Sequence, residues 1–435
     1  MLEKYFKLKE NDTSVFIEIM AGVATFLTAV YVLFVNPLVL ADAGMPRDAL
    51  FTATALSIIV GTLLMAFFAN MPLILAPGMG INAYFAYSIV KGQGYTWQEA
   101  LTAVLIAGVV FLALGAIGVR KILLEGFPEP LKHAMTVSLG LMIAGIGLKN
   151  AGVVIFQEGF IKLGDVTRGG GLLALIGIFV TGVLMSLRLR AAILLGIVIT
   201  TVIGCFTGVT NYQSLAASGV VSLPPSIAPI ALHFSFDPSR LFTMDFAAVV
   251  FALIILDIFD SLGTFIGVFN NFSPDVRKRY EAQIPRALMC DAGATVAGAL
   301  LGVSTVTTYV ESSTGVQAGG RTGLTAVTIS FLMFVSLFAA PLFLMVPAAA
   351  TAPALVVVGM LMMNSAGKVS WLDPSEGLPA VAMIMTTALT WSISDGLMFG
   401  WLGFFLFKLF TGKFSQLNAT VTVVALFFFA RLLMM

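Results

Sequence analysis

The sequence contains few charged residues for its length. Asp, Glu, Lys and Arg make up only 10% of its 435 residues, whereas 59% are hydrophobic and the mean hydropathy is +1.02. A water-soluble protein of this length could not cover its surface with so few charges, which excludes a soluble globular fold. The net charge of +1 gives no basic excess, so we expect no nucleic-acid partner.

Cysteine and histidine are scarce as well. Cys205 and Cys290 both stand in apolar stretches, which argues against a framework of disulfide bonds. His133 and His233 are far apart in the sequence and have no neighbouring ligand pattern, which argues against a zinc or iron site. The motifs of zinc proteases, phosphate-binding loops and serine hydrolases are absent. We therefore expect neither an enzyme nor a bound cofactor.

Hydrophobic stretches of bilayer-spanning length take up most of the chain. A first set of seven spans is predicted at 15–37, 49–69, 73–90, 98–119, 130–148, 171–187 and 190–207. A second set is predicted at 244–269, 286–302, 303–319, 321–344, 349–365, 377–394 and 395–411. The chain is therefore predicted to be an all-α polytopic membrane protein with about fourteen spans in a lipid bilayer.

Three further segments flank the two seven-span repeats, which occupy 15–207 and 244–411. Residues 1–14 form a charged N-terminal segment, 208–243 a Pro-containing connecting loop, and 412–435 a C-terminal segment. The last segment contains an apolar run at 418–434, and the pattern leaves open whether this run crosses the bilayer or lies against the bundle.

The distribution of basic residues indicates the orientation. With the N-terminus in the cytoplasm, sixteen of the 23 Lys and Arg residues fall on the cytoplasmic side and six on the outer side, with Arg431 left unassigned. Basic residues accumulate in cytoplasmic loops. We therefore expect a multi-pass protein of the cell membrane with a cytoplasmic N-terminus and an extracytoplasmic connecting loop.

The two sets of seven spans resemble each other. The apolar run from Gly140 to Gly152 ends in a Lys/Asn/Gly cluster, as does the run from Val356 to Lys368, and Leu173 to Leu187 is similar to Pro379 to Ile393. Repeats with an odd number of spans have opposite topology in the membrane. We therefore expect an inverted repeat with a transport site at its interface.

Polar residues within the spans indicate where this site lies, because each costs about 2.5–3.5 kcal/mol on insertion scales. Asp257 and Asp260 share one helix face with Ser261 and Thr264. Two carboxylates within one turn repel each other when both are ionised, so one is expected to carry a proton. The alternative is that one Asp only caps or bonds a neighbouring helix.

A second polar segment runs from Ser304 to Gly323. Val306 to Val310 is β-branched and aromatic, which predicts a short extended piece. Glu311 and the small residues after it are typical of a helix start. We expect an extended run followed by a half-helix, with Glu311 beside free N–H groups at membrane depth. The alternative is that Glu311 caps an ordinary cytoplasmic loop.

The third segment occupies the corresponding position in the first repeat. Pro77, Gly78 and Gly80 interrupt its hydrophobic run, and Asn82 enters as the helix resumes. Interrupted spans in corresponding positions of two halves are the strongest sequence indication of a transport site. Asn82 as a mere helix cap is the alternative.

Other polar and aromatic residues have weaker support. Asp291 has the position to bond the polar backbone of the interrupted spans, a supporting role. Phe259 and Tyr84 are placed where an aromatic ring can stack on a planar ligand.

Together, the segments PGMGINAYF, DIFDSLGTFIG and STVTTYVESSTGV resemble signatures of the guanine/hypoxanthine permeases. These form the azaguanine-type branch of the nucleobase–cation symporter-2 (nucleobase–ascorbate transporter) family. The resemblance extends over nearly the whole chain, beginning at Gly22 to Pro37. It implies two inverted seven-helix repeats, with spans 3 and 10 each a short strand plus a half-helix. It also implies a core domain (about 15–119 plus 244–344) and a gate domain (about 130–207 plus 349–411).

The resemblance further implies proton-coupled uptake of purine bases, commonly by a homodimer. By motif position, the substrate-binding residues of the family fall on Asn82, Asp257 and Glu311, while Asp260 matches a position linked to transport. Ser312 and Ser313 stand where the general family has Asn, which fits the azaguanine-type branch rather than a uracil or xanthine carrier. The complete predicted sets are Asn82, Asp257, Glu311, Phe259, Gly80 and Ser312 for substrate, and Asp260, Asp257, Glu311 and Asp291 for proton coupling.

Chemical reasoning from the residues agrees with a purine, and it leaves alternatives. A purine base is flat and carries N–H donors and ring-nitrogen acceptors, which carboxylates and an amide can match. The same fold carrying xanthine, uracil or an inorganic anion is one alternative, although acidic residues oppose an anion. An intramembrane aspartic protease would need its carboxylates on separate, facing spans. The twin interrupted spans argue against a passive channel. The sequence does not rank hypoxanthine, guanine and adenine.

Overall fold

The described part of the chain in this computed structural model comprises residues 2–116, 127–157, 160–189, 191–212, 219–269, 272, 277 and 280–434. The end of the predicted span 98–119 and the predicted cytoplasmic residues Arg120, Lys121, Arg190, Lys278 and Arg279 lie outside these ranges.

Helices form most of the described chain, and the strands are short. The first half contains α1 (Leu2–Phe6), α2 (Val15–Ala29), α3 (Val32–Ala41), α4 (Arg47–Leu64), β1 (Leu75–Pro77), α5 (Met79–Ala83), α6 (Trp97–Ala116), α7 (Glu129–Asn150), β2 (Val154–Gln157), β3 (Phe160–Leu163), α8 (Gly169–Ser186) and α9 (Ala192–Thr207). The second half contains α10 (Pro238–Leu241), α11 (Met244–Phe269), α12 (Ile284–Leu301), β4 (Val306–Thr308), α13 (Ser312–Gln317), α14 (Gly323–Leu337), α15 (Ala340–Leu344), α16 (Ala348–Met363), α17 (Pro374–Thr390), α18 (Ile393–Phe410) and α19 (Ala419–Met434). The π-helical segments Met65–Ala69 and Tyr84–Gly92 continue α4 and α5.

Polar side chains fix where several of these apolar helices begin. Ser14 Oγ accepts from Ile17 N–H at 3.4 Å at the start of α2. Thr322 Oγ1 accepts from Leu324 N–H at 3.3 Å at the start of α14. Such caps give an acceptor to N–H groups that have none within the helix, which matters most where no water is present.

A buried carboxylate completes the start of α14. Glu18, on α2, is fully buried, and its carboxylate accepts from Arg321 N–H at 2.8 Å and Thr322 N–H at 3.2 Å. It also accepts from Thr325 N–H at 3.1 Å and from Thr325 Oγ1 at 2.6 Å. Because a carboxylate is favourable at a helix N-terminus, Glu18 fixes α2 against α14.

The predicted fold class is confirmed. Among the described residues, nine helical stretches are long and apolar enough to cross a membrane, and α9, α14 and α19 are shorter apolar helices. A described helix lies within each of the fourteen predicted spans, and spans 3 and 10 contain β1 and β4 as predicted. Residues 219–243 are irregular apart from α10.

The helices pack in two groups. In the core group, α12 packs on α4 and α6, α14 on α2 and α4, and α11 on α6. In the gate group, α16 packs on α7, α8 and α9, and α17 on α7 and α18. Contacts between the groups include α5 against α7, α3 against α16, and α11 against α18. The two groups are named after the core and gate domains that the sequence resemblance implies, and that division stays a prediction.

Two predicted spans are divided in the structure. The span 15–37 is α2 and α3 separated at Val30 and Tyr31, and the span 321–344 is α14 and α15. Neither residue between α2 and α3 is Gly or Pro. The Tyr31 side chain bonds Glu311, which is remote in sequence.

The C-terminal apolar run forms α19, which lies against α18. Trp401 Nε1 donates to Val421 O at 2.9 Å. Near the other end, the Arg431 guanidinium bonds Asp395 at 2.8 Å and Asp245 at 2.9 Å. These contacts place α19 antiparallel to α18 and tie it to the first turns of α18 and α11.

Candidate functional site

The two interrupted segments, residues 73–92 and 303–317, meet through their strands. β1 and β4 are antiparallel, with Leu75 opposite Thr308 and Pro77 opposite Val306. The pairing continues into the flanking residues, because Gly78 N–H donates to Thr305 O at 3.1 Å and Tyr309 N–H to Ile74 O at 3.0 Å. Non-helical backbone thus finds partners within the protein, as the interior of a bilayer requires.

Side chains form hydrogen bonds with backbone N–H and C=O groups that have no partner within the strand pair. Ser312 Oγ accepts from Ile74 N–H at 3.1 Å, and Thr62 Oγ1 accepts from Leu75 N–H at 3.1 Å. The Tyr309 hydroxyl donates to Pro77 O at 2.5 Å. Ser312 is predicted to bind substrate, but here it is fully buried and holds one segment against the other.

Asn82 lies at the centre of a buried hydrogen-bond network. Its Nδ2 donates to Asn36 Oδ1 at 2.5 Å, and its Oδ1 accepts from the Ser304 hydroxyl. Asn36 Nδ2 in turn donates to Thr54 Oγ1 at 2.6 Å. Asn82 is fully buried, and both ends of its amide are bonded to protein. A substrate contact by Asn82 would have to replace one of these bonds.

Asp257 has a second carboxylate as its neighbour, and this neighbour comes from another helix. Thr295 Oγ1, on α12, donates to Asp257 Oδ2 at 3.0 Å and lies 3.1 Å from Val306 O. Asp291 lies one helical turn before Thr295 on α12, and Asp257 Oδ1 has no hydrogen-bond partner among the described residues. The sequence pattern pairs Asp257 with Asp260, whereas the structure also brings the Asp291 carboxyl group, from α12, near Asp257.

Asp291 is fully buried and bonded on both oxygens. Its Oδ2 accepts from Ser261 Oγ at 2.7 Å and its Oδ1 from Thr308 Oγ1 at 3.0 Å. These bonds join α11, α12 and β4, as expected for a residue that supports the interrupted spans.

Asp260 is half-buried on α11 and faces both interrupted segments. Thr307 Oγ1, in β4, donates to Asp260 Oδ2 at 3.0 Å. A Cβ atom added to Gly78 would lie 3.4 Å from the same oxygen. The carboxylate therefore stands beside the start of the first half-helix.

Glu311 is half-buried and immediately precedes the second half-helix, α13. The Tyr31 hydroxyl, from the break in span 1, donates to Glu311 Oε1 at 2.7 Å. The Glu311 side chain makes no capping bond to α13, so the geometry does not support the alternative role of Glu311 as a cap.

Two predicted residues lie where the core group meets the gate group. A Cβ atom added to Gly80 would lie 3.1 Å from Leu139 Cδ2 on α7. Phe259 packs edge-to-face on Phe127, with ring centroids 4.4 Å apart, and Lys132 Nζ lies 5.3 Å from its ring centroid. Tyr84, by contrast, is fully buried, so its ring has no open face for a ligand.

Several site residues were not singled out from the sequence. Tyr31 and Asn36 are polar residues in the first span, and Thr295 and Ser304 lie in apolar or strand-like stretches. Their polarity within predicted spans could have indicated them. However, these residue types also occur often in spans without a functional role, and the bonding partner of each is remote in sequence. Among the described residues, no group of three or more His, Cys, Asp or Glu side chains could hold a metal ion.

The arrangement offers hydrogen-bond acceptors to a ligand. The half-buried members are Glu311, Asp260 and Phe259, two carboxylates and an aromatic ring. The fully buried members are Asn82, Asp257, Asp291 and Ser312. Carboxylates accept from N–H donors and an aromatic ring stacks on a flat ligand, so the accessible chemistry suits a planar molecule with N–H groups.

Comparison with known proteins gives a match over most of the chain. A family model described as "Permease family" matches residues 16–399. An adenine permease of Escherichia coli (strain K12) is 38% identical over 99% of this chain and 96% of its own length. A guanine/hypoxanthine permease of Bacillus subtilis (strain 168) is 41% identical over 98% of this chain and 99% of its own length.

Solved structures of anion transporters have the same fold. The transmembrane domain of a cyanobacterial bicarbonate transporter has a TM-score of 0.61 at 16% identity, covering 87% of this chain and 96% of that one. The murine anion transporter Solute Carrier 26 family member A9, in its inward-facing state, has a TM-score of 0.64 at 12% identity, covering 92% and 68%. At such low identity the likeness shows the fold alone.

Proposed function

This chain belongs to the guanine/hypoxanthine permease branch of the nucleobase–cation symporter-2 family, and from that premise we propose that it takes up purine nucleobases together with protons. The candidate substrates are hypoxanthine, guanine and adenine, since relatives named for each of these share 31–41% identity with the chain over nearly its full length. The observation that carries the proposal is the half-buried carboxylate of Glu311 at the crossing of the two interrupted segments.

The substrate would bind between the accessible side chains. Glu311 and Asp260 would accept from N–H groups on the purine edge, and Phe259 would contact its face. Asp257 and Asn82 would support the binding site without contacting the purine, through the hydrogen-bond networks that hold α11, α12 and the interrupted segments together. Neutral purines suit this site because none of these contacts requires a negative charge on the ligand.

The coupling proton would be carried by the carboxylates of this site. Asp257 and Asp291 interact within a fully buried environment, where two adjacent ionised carboxylates are costly. Glu311 and Asp260 stand closer to the substrate. We assign the proton to this set of four, in which a proton taken up with the purine lowers the negative charge of the site by one during transport.

Transport would proceed by movement of the core group relative to the gate group. The interrupted segments are bonded to α3, α11 and α12 within the core group, so they would move with it as a unit. The boundary runs between Gly80 and Leu139, where the two groups approach closely. In this proposal the N-terminus is cytoplasmic and two copies of the chain form a homodimer in the cell membrane.

The test is binding and uptake with a panel of ligands. Purified protein should be stabilised against heating by hypoxanthine, guanine or adenine, and not by uracil, xanthine or sulfate, because binding to the native state raises Tm. Labelled hypoxanthine should accumulate in purine-uptake-deficient cells that express the chain, and an uncoupler should abolish accumulation. Uptake that is insensitive to the uncoupler would contradict proton coupling.

An inorganic anion is the second candidate, and the shared fold with anion transporters favours it. The site opposes it, because the half-buried carboxylates of Asp260 and Glu311 repel an anion, and Lys132 near Phe259 is paired with Glu129 at 2.5 Å. Stabilisation by sulfate or bicarbonate without stabilisation by any purine would favour this alternative.

A further inference from the structure

The first span is itself broken, at the level of the candidate site. α2 ends at Ala29 and α3 begins at Val32. Between them the chain tightens, since Leu33 N–H donates to Val30 O at 3.1 Å and Phe34 N–H to Tyr31 O at 3.0 Å. These bonds span three residues rather than four, as in a 3₁₀ turn. The turn makes Tyr31 the residue at the break.

Tyr31 uses this position to reach the second interrupted segment. Its side chain is buried, with 2% exposure, and its hydroxyl donates to Glu311 Oε1 at 2.7 Å. α2 also packs directly against α13, the half-helix that follows Glu311. The phenol therefore approaches the carboxylate from the protein side.

The same span reaches the other interrupted segment one and a half turns further on. Asn36 is fully buried on α3, and its Oδ1 accepts from Asn82 Nδ2 at 2.5 Å. Span 1 therefore contacts a polar residue on each half-helix, through Tyr31 on one side and Asn36 on the other.

We propose that Tyr31 is a positioning residue for purine binding, which holds the Glu311 carboxylate in the orientation that accepts the purine edge. The proposal rests on the proposed function and deepens it. A carboxylate has about four acceptor positions on its two oxygens. Tyr31 occupies one on Oε1 and fixes the plane of the group, which leaves the other positions aligned for the ligand.

The chemistry of a phenol suits this role in a proton-coupled carrier. A Lys or Arg partner would also orient Glu311, but its full positive charge would oppose the uptake of a proton by the carboxylate. The neutral hydroxyl of Tyr31 donates one hydrogen bond and supplies no net charge. Glu311 therefore keeps both its orientation and its ability to take part in proton coupling.

The test removes the hydroxyl and keeps the ring. Tyr31→Phe should raise KM for labelled hypoxanthine about tenfold, the size expected for loss of a hydrogen bond to a charged group. Vmax per transporter at the cell surface should change by less than about twofold, because folding and movement do not need this bond. Tyr280→Phe is the matched control, since Tyr280 is also 2% exposed and its hydroxyl donates to Arg321 O, away from Glu311.

A second variant breaks the same bond from the other side. Glu311→Asp keeps the charge and withdraws the carboxylate by one methylene from both Tyr31 and the purine, so it should raise KM by at least as large a factor. Adding Tyr31→Phe to Glu311→Asp should then cause no further increase, because the bond between Tyr31 and residue 311 is already lost in Glu311→Asp. Purified protein and calorimetric binding of hypoxanthine provide the same comparison if cell-surface amounts differ.

The outcomes separate this proposal from the one on which it rests. No purine uptake or binding by the wild type would overturn both. Normal wild-type uptake with an unchanged or lower KM in Tyr31→Phe would overturn the role of Tyr31 alone. So would a reduced Vmax at unchanged KM, which indicates a structural role, or independent, additive effects of Tyr31→Phe and Glu311→Asp.

Discussion

The first and second interrupted segments each consist of a three-residue strand followed by a short helix, but their polar residues are used differently. In the first, Asn82 is fully buried and its amide is bonded to Asn36 and Ser304. In the second, Glu311 is half-buried and Tyr31 bonds one of its oxygens. The comparison indicates that the first segment is held by its polar residue, whereas the second presents its polar residue to a ligand.

Glu311→Gln should give the largest effect on function with little effect on stability. The amide loses one charged acceptor and the site loses a proton carrier, so purine affinity should fall about a hundredfold, equivalent to roughly 2.7 kcal/mol. Tm of the ligand-free protein should stay within about 2 °C of wild type, because the residue is half-buried. Calorimetric titration and thermal unfolding measure the two quantities, with Glu10→Gln on the exposed N-terminal segment as the control.

Asn82→Ala should show the reverse pattern. Removal of the amide leaves buried partners on Asn36 and Ser304 unpaired, and we expect a loss of stability of about 3 kcal/mol. The measurement is thermal unfolding of purified protein, together with the amount recovered from membranes. A stable Asn82→Ala protein that has lost only purine affinity would contradict this difference between the two segments and place Asn82 in direct contact with substrate.

Thr308→Val and Thr307→Val test two neighbouring bonds of β4. Thr308 bonds the fully buried Asp291, so its loss should cost about 2 kcal/mol of stability. Thr307 bonds the half-buried Asp260, where other partners are accessible, and its loss should cost at most about 1 kcal/mol. Unfolding of the two variants side by side measures the difference. Equal losses would mean that burial does not distinguish Asp291 from Asp260.

Gly80→Ala should have only a small effect on stability. The new Cβ would lie 3.1 Å from Leu139 Cδ2, and the flexible end of that side chain can shift by a few tenths of an ångström, so we expect a loss below about 1 kcal/mol. Because this contact lies between the core and gate groups, we expect Vmax of uptake to fall even though the free energy of unfolding changes little. Unchanged Vmax would argue against movement at this boundary.

The sequence predicts the interrupted segments well because their signals are local. The β-branched run Val306–Thr308 forms β4, and Pro77 and Gly78 separate β1 from the half-helix that contains Asn82. Such features depend on steric and hydrogen-bonding limits of the residues themselves. The fourteen spans follow from hydropathy in the same way.

The partners of the site residues are less predictable because they are remote in sequence. Asp257 and Asp260 are three residues apart, yet the Asp257 side chain accepts a hydrogen bond from Thr295 on another helix, the helix that also carries Asp291. Tyr31 and Glu311 are 280 residues apart. The break at Tyr31 has no Pro or Gly at the turn to indicate it, so tertiary contacts rather than local propensity determine it.

Glu311 is the proposed acceptor for a purine carried by this chain. The most direct measurement is uptake of labelled hypoxanthine, guanine and adenine by purine-uptake-deficient cells that produce equal surface amounts of wild type, Glu311→Gln and Asp257→Asn. We predict saturable, uncoupler-sensitive uptake of at least one purine by the wild type, and uptake at the level of empty cells for Glu311→Gln. Normal uptake by both variants would contradict the assigned site.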